Sequence, residues 1–556
     1  MTYKRVYKRN TPQSQPMEAG QIQNHAGGYV FQVTPWTRLG RFLVLGSDKG
    51  TYYQHAPALT KENAVCVSEC YGLDPNKTAE TICEISESGR APKNDHAIFA
   101  LALGAIHPNV QARQASYAAK PRVCRTGYHQ FLWAAYCEFL GKGTGRGYKR
   151  AAASFYNTRD TDDLAYQMVK YRQREGFTHK RLIELSNQGP LSNDELRKNL
   201  FRWARGKEVY EKLPEIVEGH IEAMSLEPRE SKRLVNLITN YKLPWEAIPT
   251  WAMTSPDVWD ALIPTTGLTA LIRNLGNITA SGALTSQNYE KVTERLLNEY
   301  ALDKARIHPF NVLQALAVYG SGKGLKGKKT WLPVRQVTEA LDEAFYKCFK
   351  YAEPTGKRKL IALDVSGSMG SPIGSPRKDK AGRYTIRNEN PLTCREAAAA
   401  MCLVGLKTEK YVDVVGFSHG PLTGSGSSGR WGDMSRAGLI PLDISPKDRL
   451  DKTVTTLRNQ RFGATDCSLP FRWAQQEKKE YDSIEVWTDN ETWSGHIHPK
   501  EALRDYRRFM GLNTKLIVCG MTATDCSIAD PNDPGMMDVA GLDSAVPTLI
   551  ADFIRK

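Results

Sequence analysis

Asp364, Ser366 and Ser368 alternate within Lys359 to Gly370, where an apolar run, Leu360 to Val365, gives way to a glycine-bearing loop. The run reads as a buried strand. A carboxylate and two hydroxyls at its end have no reason to sit in a core, and their spacing brings three small oxygen donors towards one point. Hard oxygen donors suit Mg²⁺ first, with Mn²⁺ or Ca²⁺ as alternatives, rather than zinc or copper. The alternative is a polar turn with Asp and Ser as turn residues, over which the spacing by itself favours a metal only modestly. Two later loops decide between the readings: Arg461 to Asp466 offers the Thr465 hydroxyl, and Trp487 to Glu491 offers Asp489. Two carboxylates and three hydroxyls make five donors, which leaves an octahedral position open for water or a partner's carboxylate.

A second constellation is cationic. Between Arg113 and Arg181 there are 14 Lys and Arg against 5 Asp and Glu, interleaved with Tyr117, Tyr128, Phe131, Trp133, Tyr136, Tyr148, Phe155, Tyr156, Tyr166, Tyr171 and Phe177. Lys142, Arg146, Lys149 and Arg150 stand among glycines that permit close backbone approach; Lys170, Arg172, Arg174, His179, Lys180 and Arg181 form a second group. Cations that neutralise phosphates, beside rings on which bases stack, are what salt-sensitive binding of single-stranded nucleic acid needs. The plainer alternative is a solvated basic helix face over an aromatic core.

The elements that hold these groups differ on the two sides of residue 357. The chain has 556 residues, 41% apolar and 24% charged, the composition of a globular protein with several cores. Residues 1–357 carry 48 Lys and Arg against 35 Asp and Glu, whereas residues 358–556 carry 27 against 25. The first part is therefore a candidate polyanion binder and the second is nearly neutral. The 11 cysteines are scattered and odd in number, without a Cys-x-x-Cys pair, which favours reduced thiols. The start of the chain has no apolar signal core, and the longest apolar run, Ala97 to Ile106, is too short to span a bilayer. These features predict a cytoplasmic protein with no membrane association.

Residues 1–28, rich in Pro and Gly, read as a flexible arm. From 29 to 353 apolar residues recur at helical spacing, for example in Tyr128 to Leu140, Thr161 to Gln173, Asp194 to Leu213 and Ser231 to Tyr241, with turns at Gly189-Pro190, Glu227-Pro228 and Leu243-Pro244. Short helices joined by short turns predict an all-α helical-repeat, HEAT-like array. Residues 320–329 form a basic glycine-rich loop lacking the Gly-Lys-Ser/Thr ending of a phosphate cradle. From 358 to 556 continuous apolar strands (Leu360 to Val365, Tyr411 to Phe417, Ser483 to Thr488, Lys515 to Cys519) alternate with helices, the mark of an α/β doubly wound sheet whose ligands bind beyond the carboxyl ends of its strands. Glycine-rich loops at Gly370 to Pro391 and Gly420 to Gly432 flank that edge.

Asp364, Ser366, Ser368, Thr465 and Asp489, in this chain order, resemble the metal-ion-dependent adhesion site of von Willebrand factor A domains. The likeness extends further. Gly463 to Pro470, Thr488 to Thr492 and Lys515 to Met521, with Gln32-Val33-Thr34, Gly50 to Tyr53, Lys170 to Arg174, His179-Lys180, Leu271 to Gly276 and Ala305 to Phe310, are similar to the Ro 60-kDa autoantigen family from about Tyr29 onward. That resemblance implies a TROVE module, a ring of helical repeats formed by a single chain, followed by a von Willebrand A domain. It also implies binding of small noncoding Y-like RNA on the basic outer surface and of single-stranded 3′ ends of misfolded RNA, and, in bacterial members, an adaptor role towards an exoribonuclease. A bacterial or phage member is the expectation. Lys170 and Arg174 match basic positions of the family's Y RNA surface; Asn187 stands where a histidine is expected.

Three readings follow. The first is a noncatalytic RNA-binding ring protein acting in RNA quality control. The second is a protein-binding adaptor whose metal site captures a partner's carboxylate. The third is a metal-dependent nuclease, for which two carboxylates among hydroxyls are few; Glu491, His496 and His498 lie near in sequence.

Overall fold

The computed structural model describes residues 10–46, 59, 61, 64–186, 194–324, 329–349, 353–371, 377–378, 384–385, 392–418, 438–458, 464–522 and 524–556. Asn187, residues 325–328, Gly420 to Gly432 and most of Gly370 to Pro391 lie outside them. The chain forms two units, one from Met1–Cys66 with Phe349–Lys556, the other from Val67–Cys348.

The first unit begins with the antiparallel strands β1 (Gln21–Gln23) and β2 (Tyr29–Gln32) and the helix α1 (Pro35–Leu45). Thr34 caps α1 by accepting from the Thr37 N–H, and Pro35 is preset for its first turn. The helical unit then runs through α2 (Val65–Leu73), α3 (Pro75–Glu87), α4 (Asp95–Ile106), α5 (Val110–Val123), α6 (Gly127–Phe139), α7 (Arg146–Asn157) and α8 (Thr161–Lys170). A hairpin, β3 (Gln173–Arg174) and β4 (Phe177–Thr178), precedes α9 (His179–Ser186), α10 (Glu195–Ala204), α11 (Glu215–Ser225), α12 (Ser231–Tyr241) and α13 (Pro256–Leu262). The unit ends with α14 (Leu268–Ala280), α15 (Glu290–Leu297), α16 (Glu299–Lys304), α17 (Pro309–Gly320) and α18 (Arg335–Lys347).

Each of these helices is too short to be stable alone and is held by burying one face on its neighbours. The early and late parts of the run meet. The Arg306 Nε donates to the Glu87 carbonyl (2.6 Å), the Asn311 amide to the Pro92 carbonyl (3.1 Å), and the His308 ring lies 3.1 Å from the Arg90 carbonyl.

The first unit resumes with β5 (Arg358–Asp364), α19 (Cys394–Thr408), β6 (Tyr411–Phe417), β7 (Leu439–Pro441), α20 (Leu450–Arg458), α21 (Leu469–Gln476), β8 (Ser483–Thr488), α22 (Pro499–Met510), β9 (Lys515–Gly520), β10 (Cys526–Ser527), β11 (Met536–Ala540) and α23 (Val546–Arg555). The main sheet has the order β11-β9-β8-β5-β6-β7 and is parallel except for β7, which runs antiparallel to β6. Leu360, Ile361, Ala362 and Leu363 are all buried, as a strand covered on both faces requires. The Thr393 and Glu396 capping box starts α19, whose small residues Ala397 to Ala400 are buried.

Several expectations are corrected. Residues 10–28 do not form a free arm: β1 and β2 make a three-stranded sheet with β10, in which Gln32 pairs with Cys526. Residues 29–66 belong with the α/β unit, not with the helical array. Arg41 of α1, 2% exposed, shows why: its guanidinium pairs with both Asp538 oxygens (2.6 and 2.5 Å) and donates to the carbonyls of Thr524 and Cys526. The helix expected through Gln173 stops at Lys170, because Glu175 (φ 49°) and Gly176 (φ 77°) both take left-handed backbone and turn the chain into the β3–β4 hairpin. The helix expected through Leu213 stops at Ala204, beyond which Gly206 (φ 75°) turns the chain away.

Candidate metal edge and nucleic-acid interface

β5 and β8 are neighbours in the sheet although β6 and β7 intervene in the chain, so the connections reverse direction between them. In an open α/β sheet that reversal opens a crevice at the carboxyl ends of the strands. Asp364 closes β5 and Asp489 follows β8, one on each lip.

Both carboxylates are fully buried. Asp364 Oδ1 accepts from the Ser366 N–H (2.9 Å) and Oδ2 from the Thr488 hydroxyl (2.7 Å). The Ser366 and Ser368 hydroxyls lie 3.0 Å apart. Asp489 Oδ1 accepts from the Glu491 N–H (3.1 Å), while its Oδ2 is buried and has no hydrogen-bond partner among the described residues. Thr465, 3% exposed, sits in a loop tied to the one after Asp489: its carbonyl accepts from the Trp493 N–H (3.2 Å) and the Ser494 hydroxyl (2.9 Å). The structure therefore brings Asp364, Ser366, Ser368 and Asp489 together and places the Thr465 loop beside them.

Burial, and then the Asp489 charge, push Asp364 up to about 7; burial raises Asp489 as well, against the pull of the Ser368 hydroxyl. Arg395, in the first turn of α19, brings a positive charge near Asp364 and donates to the Ser366 carbonyl (2.9 Å). Two like charges in a dry corner, one with an unsatisfied oxygen, are costly without a counter-charge. A divalent cation would offset the charges and take that oxygen as a ligand, and all donors are hard oxygens. The residues fit Mg²⁺, Mn²⁺ or Ca²⁺. Among the described residues no group of three or more His, Cys, Asp or Glu side chains gathers as a metal cluster, the arrangement two-metal nuclease chemistry uses. His498 is buried at the start of α22, with its Nε2 2.8 Å from the Gln15 carbonyl, and His496 is exposed.

The basic group has two parts. Arg146 and Arg150 are exposed and Lys142 and Lys149 half-buried, on α7 and the loop before it. Among the described residues none of the four pairs with a carboxylate. The first turn of α7 carries no acidic residue to offset the positive end of the helix dipole. In the second part, Lys170 is held by the Tyr166 hydroxyl (3.1 Å); burial pulls its ammonium down, but Tyr171, Tyr166 and Glu246 outweigh that pull and keep it charged. Arg172 lies 3.4 Å from His220 Nε2, Arg174 lies over the Tyr128 ring (5.4 Å), and Lys180 is exposed. Arg181 is clamped by both Glu138 oxygens (2.9 and 3.0 Å) over the Phe177 ring.

His179 departs from the sequence expectation. It is 4% exposed, packed against Phe131 and Phe155, with Nδ1 2.9 Å from the Tyr156 hydroxyl, and burial holds it down at about 4. A neutral core ring of this kind supports the surface but does not face it. The interleaved aromatics are likewise not open stacking platforms. Phe131, Trp133, Tyr148, Phe155, Tyr156 and Phe177 are buried, and the half-buried Tyr117, Tyr128, Tyr166 and Tyr171 lie beneath Lys142, Arg174 and Lys170.

Sequence reasoning passes over Thr488, Arg395 and the N-terminal residues Gln13 and Asn24. The first two sit in apolar or capping contexts that motif spacing does not flag. For the last two, only the alternation Tyr29-Val30-Phe31-Gln32 signals an ordered N-terminal segment.

Comparison with known proteins agrees with this architecture. The TROVE domain family matches residues 22–243 and 239–318, and the Ro60 vWA domain family matches residues 358–554. The chain is 38% identical to the RNA-binding protein RO60 of Deinococcus radiodurans, over 98% of this chain and 97% of that protein. It is 33% identical to the RNA-binding protein RO60 of Caenorhabditis elegans, over 98% of this chain and 92% of that one. The crystal structure of the D. radiodurans Ro (RSR) protein, 37% identical, aligns with a TM-score of 0.67, covering 94% of this chain and 99% of that one. With its helical array, its doubly wound sheet and matches over nearly its whole length, the chain belongs to the Ro60 family.

Proposed function

We propose that this protein is a noncatalytic RNA-binding protein whose helical unit holds RNA through its phosphates. The observation that carries this reading is the set of cations on α7 and its preceding loop, Lys142, Arg146, Lys149 and Arg150, which have no acidic partners among the described residues and stand at the positive end of a helix. Such an arrangement costs stability in isolation and is relieved by a polyanion. Its relatives, known as RNA-binding protein RO60, point the same way. Lys170, Arg172, Arg174 and Lys180 extend the surface. The RNA we assign to it is a small structured noncoding RNA of Y-like type, with single-stranded 3′ ends of misfolded RNA as a second ligand. An exoribonuclease tethered through the RNA would place the protein in cytoplasmic RNA quality control. The α/β unit contributes a Mg²⁺-dependent edge held by Asp364, Ser366, Ser368, Thr465 and Asp489, which docks a carboxylate of a protein partner and does no chemistry on RNA.

The test is a gel-shift titration of a labelled, structured small RNA at several salt concentrations. Lys149→Ala with Arg150→Ala should weaken binding and lower the log–log salt slope by about 1.4 to 1.8 for two lost phosphate contacts. Unchanged affinity and slope would sink the assignment. Purified protein with Mg²⁺ or Mn²⁺ should leave labelled single-stranded RNA intact; cleavage that disappears in Asp364→Ala would replace this reading with a nuclease.

A further inference from the structure

We propose that the segment from Gln13 to Gly28 is a positioning strap for the metal edge, in which Gln13 and Asn24 set the spacing of the loops that carry Thr465 and Asp489. The proposal rests on the metal reading above, and concerns residues that would touch no metal themselves.

Gln13 is fully buried. Its Nε2 donates to Asp466 Oδ1 (2.7 Å) and to the Ile497 carbonyl (2.8 Å), and its Oε1 accepts from the Thr492 hydroxyl. Its backbone N–H donates to the Gly495 carbonyl (2.9 Å), and its carbonyl accepts from Tyr29 (2.8 Å). One side chain thus joins the residue after Thr465 to a residue three beyond Asp489. Only an amide supplies two donors and an acceptor in this geometry. Thr492 strengthens the junction, since its hydroxyl oxygen also accepts from the Cys467 N–H (3.0 Å).

Asn24 secures the other side. Its Nδ2 donates to the carbonyls of Asn490 (3.1 Å) and Thr492 (2.8 Å), while its Oδ1 accepts from Gly28 N–H (2.8 Å). Asn490, next to Asp489, is left-handed at φ 65°, a conformation that needs such support. The Ala26 N–H adds a bond to the buried Glu491 carboxylate (2.9 Å). The fit is close enough that side chains are excluded: a Cβ on Gly28 would overlap the Thr492 carbonyl, and one on Gly495 would overlap Gln13 Nε2. Residues that hold ligand-bearing loops from behind tune metal affinity without ligating.

The experiment is a Mg²⁺ titration of the full chain followed by thermal shift, on the wild type, Asp364→Ala, Gln13→Glu and Asn24→Asp. Gln13→Glu keeps the shape but sets a carboxylate against Asp466; Asn24→Asp keeps the Gly28 bond but loses both donors to the loop. The midpoint for Mg²⁺ should rise about tenfold or more in both variants, in the range seen when ligand-supporting partners are removed, while RNA affinity stays at the wild-type value. A merely structural role would lower the cation-free Tm and leave the midpoint alone, and that result overturns the proposal. If the wild type shows no Mg²⁺-dependent shift, the metal reading fails and the strap falls with it. Should either variant not fold, hydrogen exchange on the wild type decides. By reciprocity Mg²⁺ must slow exchange at the Gln13, Ala26 and Gly28 amides, and no change there overturns the proposal.

Discussion

Asp364 and Asp489 share a dry corner of the sheet in which each raises the cost of ionising the other, with Arg395 as a nearby positive charge. Asp489→Asn removes one of the two charges and the unsatisfied Oδ2 charge with it. The variant is expected to lose the Mg²⁺-dependent thermal shift while its cation-free Tm equals or exceeds the wild type's, as differential scanning fluorimetry would show. A second expectation concerns His179. Its folded value, about 4, lies below the ordinary 6.5, so between those values the unfolded chain binds more protons than the folded one. The stability it contributes is complete above about pH 6.5 and is lost as pH falls towards 4, by at most ~3 kcal/mol. Denaturant midpoints at pH 7 and pH 5 should therefore differ less in His179→Gln than in the wild type; equal differences would remove His179 as a source. His129, lowered in the same direction by burial and Arg125, will keep part of the dependence. At this scale the Asp-x-Ser-x-Ser spacing was legible because its donors follow one another along a strand end. Thr488, Arg395 and Gln13 were not, because they reach the site through space and carry no shared spacing.

The hairpin and the helices around it show where the α-helical period runs out. Lys170 ends α8, and Glu175-Gly176 reverses the chain in two residues, so Arg174 projects from a strand and not from a helix. Asn-Gly or Asp-Gly would have announced such a turn; Glu-Gly announces it faintly. Strands of the α/β unit were easier to read, since Tyr411–Phe417 and Ser483–Thr488 are rich in β-branched and aromatic residues and have the expected bounds. The short strands Leu439–Pro441 and Cys526–Ser527 had too few residues to show a period. Glu138, on α6, clamps Arg181 of α9 in an exposed pair whose own stabilising effect is small. Glu138→Gln should release that guanidinium and remove a negative charge from the basic face. RNA affinity is then expected to rise about two- to fivefold with little change in Tm, one contact's share of the electrostatic attraction; a lower affinity would show that Arg181 serves the fold and not the RNA.

On the scale of the whole molecule, the α/β unit is discontinuous in sequence, and the helical unit is inserted between its two pieces. Charge and periodicity could separate a basic helical half from a neutral α/β half, but residues 10–46 were invisible as part of the latter. Nothing in a Pro- and Gly-rich sequence reveals a partner some 450 residues away in the chain. Arg41 is the clearest anchor between the pieces. Arg41→Ala leaves Asp538 buried without its partner and should cost the α/β unit about 3 to 5 kcal/mol, read as a lower denaturant midpoint for that unit. An unchanged midpoint would mean that α1 is held by its apolar face alone.

The bond between Gln13 and Asp466 spans 453 residues, and it sets a schedule as well as a geometry. At ~5 to 20 residues per second on the ribosome, Gln13 leaves the tunnel about 20 to 90 s before Asp466 exists. For that interval, during which the residues of the helical unit are made, β2, with Val30 and Phe31 destined for burial, is an open strand edge. Newly made chains are thus exposed at their beginning until their end arrives, and release of a nascent chain before β9 and β10 are made would leave an aggregation-prone N-terminus attached to a folded helical unit.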